Sequence, residues 1–336
     1  MAEEQIRRRS DRYKDEIEVE EVEEVEEIEK TKKINLPKKE IKKTKEVKET
    51  EPKEEKQHPL LNKIILTTLV VFIILISYST MIEPKLINIK EYKIESKLIP
   101  DSFHGAKIVH FSDIHYGTTI NKKQLETITK KINELNPDII IFTGDLLDKN
   151  ISLTESTEKE LITYLSTLKC TLYKYAIFGD EDLDNKKYQE IMETSGFTIL
   201  DNKSIPLYYK DTTPIVITGY NPIISKPNYT ILTDFIDNQD PSNYFKLVLT
   251  HEPDSIDKFI NYKPNLVLSG HSLGGSIDFK FTKPMLLPEN SKKYFENYQK
   301  VNNTELYISN GLGTTGLNAR LLNPPSINFY RLYKTK

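Results

Sequence analysis

An α/β fold follows from three observations. From about residue 84 onward, short runs rich in Ile, Val, Leu and Tyr alternate with longer helical patterns. The short runs are apolar at nearly every position, as strands covered on both faces are. Several of them end in Asp, His or Gly, where open α/β sheets place their active sites.

The elements then read in order. Residues 1–58 form a charged tail almost devoid of aromatics. Its acidic run, Asp15 to Glu29, sets Ile17, Val19, Val22, Val25 and Ile28 mostly at every third position. That period fits neither a strand nor a lasting helical stripe. A Lys- and Glu-rich stretch follows from Lys32 to Lys56. Such a segment buries too little apolar surface to offset chain entropy, so disorder is the expectation. Residues 14–30 are the stretch where a protein partner would dock as a helix or coiled coil.

Residues 59–83 are expected to form a transmembrane helix. Ile64 to Ile82 is nineteen residues without a charge. At about 1.5 Å per residue it spans roughly 28 Å, close to a bilayer core. Aliphatic side chains surround it and leave no polar face, which argues against a core helix. About sixty residues precede it and no small-x-small cleavage site is evident, unlike a secretory signal. Six lysines lie in 43–63 and four in 82–102. That excess places the N-terminus inside and the C-terminal domain outside.

Residues 84–336 form the folded domain. Strands are predicted at Lys107–Ser112, Asp138–Thr143, Leu172–Phe178, Ile215–Gly219, Leu247–Thr250, Leu266–Ser269, Glu305–Ser309 and Ser326–Leu332. Helices are predicted at Lys122–Leu135 and Glu155–Leu168. A net charge of -3 over 336 residues gives no reason to expect nucleic acid. The single Cys170 excludes an intramolecular disulfide and reads as a packed thiol.

Five polar segments carry the chemistry: Asp113-Ile114-His115, Gly144-Asp145, Gly179-Asp180-Glu181-Asp182, Thr250-His251-Glu252 and Gly270-His271-Ser272-Leu273-Gly274-Gly275. Each follows an apolar strand. The i, i+2 spacing of Asp113 and His115 points both side chains to one side of an extended segment. Imidazole mixed with carboxylate suits Mn, Fe or Zn. A pair of such ions holds a phosphate ester and lowers the pKa of a bridging water.

This order of motifs resembles the calcineurin-like metallophosphoesterases. The match runs from near Ile87 to the end of the chain. The ending, Tyr307 to Gly313 followed by Arg320-Leu321-Leu322-Asn323-Pro324-Pro325, is similar to that of a membrane-associated bacterial branch, the YkuE-like phosphoesterases and lipid-headgroup hydrolases. The resemblance implies a four-layer α/β/β/α sandwich and one or two divalent metal ions. It implies that Asp113 and His115 bind the first ion, that Asp145 bridges, and that Asp180, His251 and His271 bind the second. It also implies a phosphate-ester substrate, lipid-linked by the geometry of a bilayer anchor through residues 64–82, and a single-pass place in a bacterial cell membrane.

The chain departs from the family pattern at two important positions and, more mildly, at others. Where the family has the His that protonates the leaving group stands Glu181, the catalytic candidate here. Glutamate serves as a general acid only with its pKa raised toward neutrality. Where the family has a His ligand to the first metal stands Leu273, which coordinates nothing. Asp180 for Asn is a mild change that keeps a ligand oxygen. Two functions follow: a membrane-anchored phosphoesterase with reduced or altered activity, or a pseudoenzyme acting as a membrane-bound binding or scaffolding protein.

Other features read as structural. Arg320 is expected in a salt bridge rather than on a phosphate. Gly311 to Gly316 lacks the P-loop Lys and reads as a turn near the metal site. Pro284 to Asn303 is expected as a helical surface excursion, with a cap on the cleft as its functional alternative. Tyr208, Tyr209, Tyr220 and Tyr229 are expected to pack.

Overall fold

The computed structural model describes residues 59–234, 240–279, 281–284 and 286–336. The expectations for the charged tail fall on residues 1–58, outside the described residues. Pro59–Lys336 is one compact unit.

Helix α1 (Pro59–Ser77) buries none of its side chains. It runs into a π-helical turn, Tyr78–Ile82, and a short 3-10 turn, Glu83–Lys85. This is the only helix among the described residues long and apolar enough to cross a membrane by length and composition.

Two six-stranded sheets follow. The first has the order β1-β12-β2-β3-β4-β5, with β1 Asn88–Ser96, β2 Lys107–Phe111, β3 Ile139–Phe142, β4 Tyr173–Ala176, β5 Thr198–Ile199 and β12 Ser326–Lys334. The second has the order β10-β11-β9-β8-β7-β6, with β6 Lys203–Leu207, β7 Ile215–Gly219, β8 Lys246–Leu249, β9 Leu266–Ser269, β10 Tyr298–Val301 and β11 Thr304–Ile308. Strand side chains alternate between faces. Ile139 and Ile141 of β3, Leu247 and Leu249 of β8, and Leu266 and Leu268 of β9 fill the layer between the sheets. Ile140 and Phe142 face the opposite way, onto helices α2 (Lys122–Glu134), α3 (Glu155–Leu165) and α4 (Tyr188–Thr194). Val248 and Val267 face outward onto α6 (Ile256–Phe259) and its neighbour α5 (Ile231–Asp234). The result is the expected four-layer α/β/β/α sandwich.

Local sequence explains why the helices begin where they do. Asn121 accepts from the N–H groups of Lys123 and Gln124, and Gln124 accepts in return from Asn121 N–H. Such a reciprocal cap is worth about 1 kcal/mol. The stripe Leu125, Ile128, Thr129 and Ile132 then buries one face of α2.

Two expectations are corrected. Residues 284 and 286–297 are turns, bends and irregular chain rather than a helix, and 298–301 form β10. Pro284 and Pro288 interrupt helical bonding there. The N–H groups of Lys292, Lys293 and Tyr294 go instead to the Asp254 carboxylate. Arg320 is fully buried, and its guanidinium is taken up by backbone carbonyls rather than by a carboxylate of the described residues. It donates to the carbonyls of Asn310, Gly311, Gly313 and Asn323, and burial pulls its pKa down to about 10. Of the tyrosines, Tyr220 and Tyr229 pack on Phe259, whereas Tyr208 is exposed. Burial raises the Cys170 pKa, in keeping with a packed thiol.

Strand direction places the functional loops. Strands β2, β3 and β4 are mutually parallel, and β12 is antiparallel to β2 with Asn328 opposite His110. The carboxyl ends of β2, β3 and β4 therefore lie at the edge where β12 begins. Strand β1 pairs in parallel with β12 from Asn88 opposite Ser326 and begins at that edge too.

Candidate metal centre

Three loops of the first sheet and two of the second meet at this edge. Asp113 and His115 follow β2, Asp145 follows β3, and Asp180 follows β4. His251 follows β8 and His271 follows β9. Asp113, His115, Asp145 and His271 all have positive φ, between 42° and 65°. L-residues adopt this conformation rarely, and it clusters at functional sites. Each strand ends by curling its side chain inward.

Close approach of the loops depends on missing Cβ atoms. A Cβ on Gly179 would lie 2.1 Å from Asp145 Oδ1, and one on Gly270 would lie 2.0 Å from Ser112 Oγ. The loops are tied by backbone bonds. Asp113 N–H donates to Gly144 O, and the Asp113 carbonyl accepts from Leu312 and Gly313. The Asp113 carboxylate accepts from His271 N–H at 3.0 Å. The Gly311–Gly316 stretch is thus a turn against the site, as its composition suggested.

The side chains form two groups that share Asp145. Donor atoms of Asp145, Asp180, His251 and His271 all lie within 4.8 Å of one another, as do those of Asp113, His115 and Asp145. In the first group His251 Nε2 stands 3.2 Å from Asp145 Oδ2 and 3.1 Å from Asp180 Oδ1. His271 Nδ1 is 3.1 Å from Asp180 Oδ1 and 3.1 Å from His251 Nε2. In the second group His115 Nε2 is 3.9 Å from Asp113 Oδ1 and 3.8 Å from Asp145 Oδ2.

All three imidazoles are held by the nitrogen that faces away from the centre. His251 Nδ1 meets the Thr143 carbonyl at 2.6 Å, and His271 Nε2 meets the Glu289 carbonyl at 2.7 Å. His115 Nδ1 meets Glu181 Oε2 at 3.2 Å. An acceptor on the outer nitrogen keeps a proton there, so the inner nitrogen is the one that would give up its proton and offer a lone pair to an ion. Three inner nitrogens thus converge on three buried or half-buried carboxylates. Asp180 Oδ1, close to two of these nitrogens, receives no aligned hydrogen bond.

This donor set fits a divalent ion. Metal–donor bonds of about 2.1 Å put neighbouring donors roughly 3.0–3.4 Å apart, depending on octahedral or tetrahedral geometry. The spacings around Asp180 and His251 lie in that range. The electrostatics call for positive charge as well. Burial works to lower the His251 pKa, but the Asp145 and Asp180 carboxylates overcome it and raise the value well above an ordinary histidine. At His115 burial is likewise outweighed, by Glu181, Asp145 and Asp113, and the pKa rises to about 9. Charge carried here by added protons is the charge an ion would supply. The imidazole and carboxylate donors suit Mn, Fe or Zn.

Comparison with known proteins agrees. The profile of the calcineurin-like phosphoesterase family matches residues 106–275. The uncharacterized metallophosphoesterase YkuE of Bacillus subtilis (strain 168) is 34% identical over 262 residues, covering 77% of this chain and 90% of that one. The chain belongs to the calcineurin-like phosphoesterase family. An uncharacterized metallophosphoesterase of Aquifex aeolicus (strain VF5) is 27% identical, covering 76% of this chain and 95% of its own. A transmembrane protein with metallophosphoesterase domain from Danio rerio is 25% identical, covering 71% of this chain and 55% of its own. By family, then, this is a metallophosphoesterase, a hydrolase acting on phosphoester bonds.

The two larger departures from the family pattern have definite places. Leu273 is buried against Gly311, where a Cβ would lie 2.4 Å from its Cδ2 and 3.0 Å from Asp113 Cβ. A methyl group thus borders the second donor group. The Glu181 carboxylate also accepts from Lys149 N–H and lies 3.4 Å from Lys149 Nζ. Its neighbourhood with His115 and Asp148 is a further donor group, but the Lys149 ammonium already supplies a cation there.

Four supporting roles escaped sequence reasoning, those of Asp182, His110, Thr143 and Glu289. Asp182 is buried and accepts from the N–H groups of Asp145, Leu146 and Gly179, which locks two site loops together. Burial, aided by Asp145, pushes its pKa up to about 7 against those donors. His110 bridges Thr143 Oγ1 and Tyr330, and burial pulls its pKa down to about 3, so it stays neutral. Thr143 in turn holds His251. Glu289 was hidden in the stretch assigned to a helix. The signals for the first two were a second acid after Asp180 and a lone His in an apolar strand.

Proposed function

We propose that the protein is a membrane-anchored, metal-dependent phosphoesterase acting on phosphomonoesters or phosphodiesters. The observation that carries this reading is the convergence of three imidazoles, each fixed at its outer nitrogen, on three carboxylates that share Asp145. Asp145, Asp180, His251 and His271 would hold one divalent ion, and Asp113, His115 and the shared Asp145 would hold another, more weakly. Ions held there would supply charge neutralisation for a phosphate and a lowered pKa for an attacking water.

The remaining roles belong to the chain. Glu181 orients His115 through Nδ1 and so positions a ligand. Engaged with His115 and Lys149, it does not stand free to protonate a leaving group. Esters with acidic leaving groups, which need no such proton, are therefore favoured. A cleft of about 580 Å³ opens beside Asp180 and Glu181, between Ile151, Leu153, Lys149 and Lys186. Its lining sets Lys149, Lys186 and Lys187 beside Asp148, Asp180, Glu181 and Asp184, and its apolar wall of Leu147, Ile151 and Leu153 accommodates a lipid-linked ester. Helix α1 anchors the domain in a bacterial cell membrane, with the N-terminus inside and the domain outside. The 19 residues of α1, none of them buried, with the helical turns that continue it to Lys85, support the anchor.

A second reading is supported by Leu273 and the wider spacing around His115. The protein then keeps one ion and binds or scaffolds at the membrane without turnover. Elemental analysis of the purified full chain, with hydrolysis of a bis-nitrophenyl phosphate in Mn on the same sample, separates the two. Bound metal with turnover abolished by Asp145→Ala supports the enzyme. One ion or none, with no turnover above background, supports the scaffold.

A further inference from the structure

The edge that carries the metal centre is also the edge where the membrane helix enters. Strands β1 and β12 begin there, and the site loops end β2, β3 and β4 there. The foot of the helix is not joined by a free linker. Arg320 N–H donates to Ser79 O, and Asn323 N–H donates to the buried Glu83 carboxylate at 2.6 Å. Asn88 N–H donates to Pro325 O. Beyond this attachment, Leu321 bridges Ile277 and accepts from Asp278 N–H. Loop 277–289 therefore starts beside the helix foot. Its other end lies on the site, where the Glu289 carbonyl meets His271 and Pro284 packs under Gly275.

Between those two fixed ends the loop turns apolar side chains into solvent. Phe281 is 84% exposed, more than any other large hydrophobic side chain among the described residues. Phe279 and Leu286 are exposed with it, and the Phe279 ring lies 6.1 Å from that of Phe281. Leu322 is exposed on the neighbouring strap and lines a cavity with Tyr78 at the helix foot. It does so at a φ of 57°, a conformation that is unfavourable for leucine. Single exposed apolar residues need no explanation, but a cluster with a Lys at its border does. Aromatic and aliphatic side chains beside Lys283 are the composition that settles at a headgroup boundary.

We propose that the described part of this loop, Phe279, Phe281 and Leu286 above all, docks on the lipid bilayer, with Phe279 and Phe281 seated at the boundary between headgroups and acyl chains. The proposal rests on the reading of α1 as a membrane span. It deepens that reading, because a loop fixed to the bilayer at one end and to His271 at the other presents the metal centre to phosphates in the membrane plane.

The chain has no tryptophan, so single Trp reporters give an unmixed signal. The full chain is reconstituted in phosphatidylethanolamine–phosphatidylglycerol vesicles whose acyl chains are brominated both near the glycerol end and near the bilayer centre. Phe72→Trp reports on the span and Phe281→Trp on the loop. Tyr173→Trp, at the opposite ends of the strands, serves as the remote control. The expected result is loss of emission for Phe72→Trp and Phe281→Trp and none for Tyr173→Trp. If Phe72→Trp is quenched and Phe281→Trp is not, the loop proposal is overturned while the anchor stands. If Phe72→Trp is not quenched, the anchor reading itself fails and takes the proposal with it. Equal quenching of Tyr173→Trp and Phe281→Trp also overturns the proposal, since it shows no preference between the two strand ends.

Discussion

On one side of Asp145 the donor atoms stand 3.1–3.2 Å apart, and on the other side 3.8–3.9 Å apart. The outer nitrogens of His251 and His271 rest on backbone carbonyls, whereas that of His115 rests on a side chain, Glu181, which shares its charge with an exposed lysine. Leu273 packs on Gly311 beside Asp113, at the looser side. The contrast teaches where this family member has been altered. The tight half keeps a full set of ligands, two of them on backbone supports, with Asp180 for Asn as its one mild departure from the family pattern, and the two larger departures, Glu181 and Leu273, fall on the looser half.

The largest effect should come from Asp145→Ala, which removes the residue common to both halves. Metal content should fall at both sites, and hydrolysis should fall by more than the roughly 10–100-fold that loss of an outer-shell partner costs. Retention of a full complement of metal would break the account of Asp145 as the shared ligand. Next in size is the pair Leu273→His with Glu181→His, which should equalise the halves by restoring a ligand and a proton donor. A second ion should appear in elemental analysis, and diester hydrolysis should rise above the parent. A parent already as active as the double variant would show that the loose half needs no repair.

Smaller changes sharpen the contrast. Glu181→Gln keeps the size of the side chain but weakens its hold on His115. The affinity of the loose half should drop by about 10–100-fold, read as a shifted midpoint in a graded chelator titration. The midpoint of the tight half should not move, and a common shift would mean that the halves are not separable. Lys149→Ala should have the least effect, because exposed ion pairs contribute about 0–1 kcal/mol. A change in the loose-half midpoint beyond about fivefold would assign Lys149 a larger part than its exposure allows.

The strands that carry the site were legible because they are buried on both faces. Ile215–Gly219 and Leu266–Ser269 match the predicted limits, and the others differ by a residue or two at their ends. Strand β1 was not legible. Its Asn, Lys and Glu residues face solvent at the sheet edge, and its position comes from a nine-residue register with β12, some 240 residues away. The candidate ligands could be named from strand-end motifs, but their supports could not. The carbonyls of Thr143 and Glu289 have no residue-type signature, so nothing in the sequence marks them as acceptors for His251 and His271. Arg320 misled for a related reason. Its guanidinium found four backbone carbonyls in place of a carboxylate, and only tertiary structure brings those together.

The origin of the ligands has a thermodynamic consequence. Asp113, His115, Asp145 and Asp180 hang from one sheet, and His251 and His271 from the other. An ion that takes donors from both acts as a rivet through the sandwich, and it has no comparable site in a chain whose sheets have separated. Its binding free energy therefore adds to the resistance of the fold to unfolding, by about 2.7 kcal/mol when free metal stands at 100 times its dissociation constant. Melting temperature then becomes a concentration scale for the ion. Protection of the β8 and β9 amides against hydrogen exchange should rise and fall with metal supply.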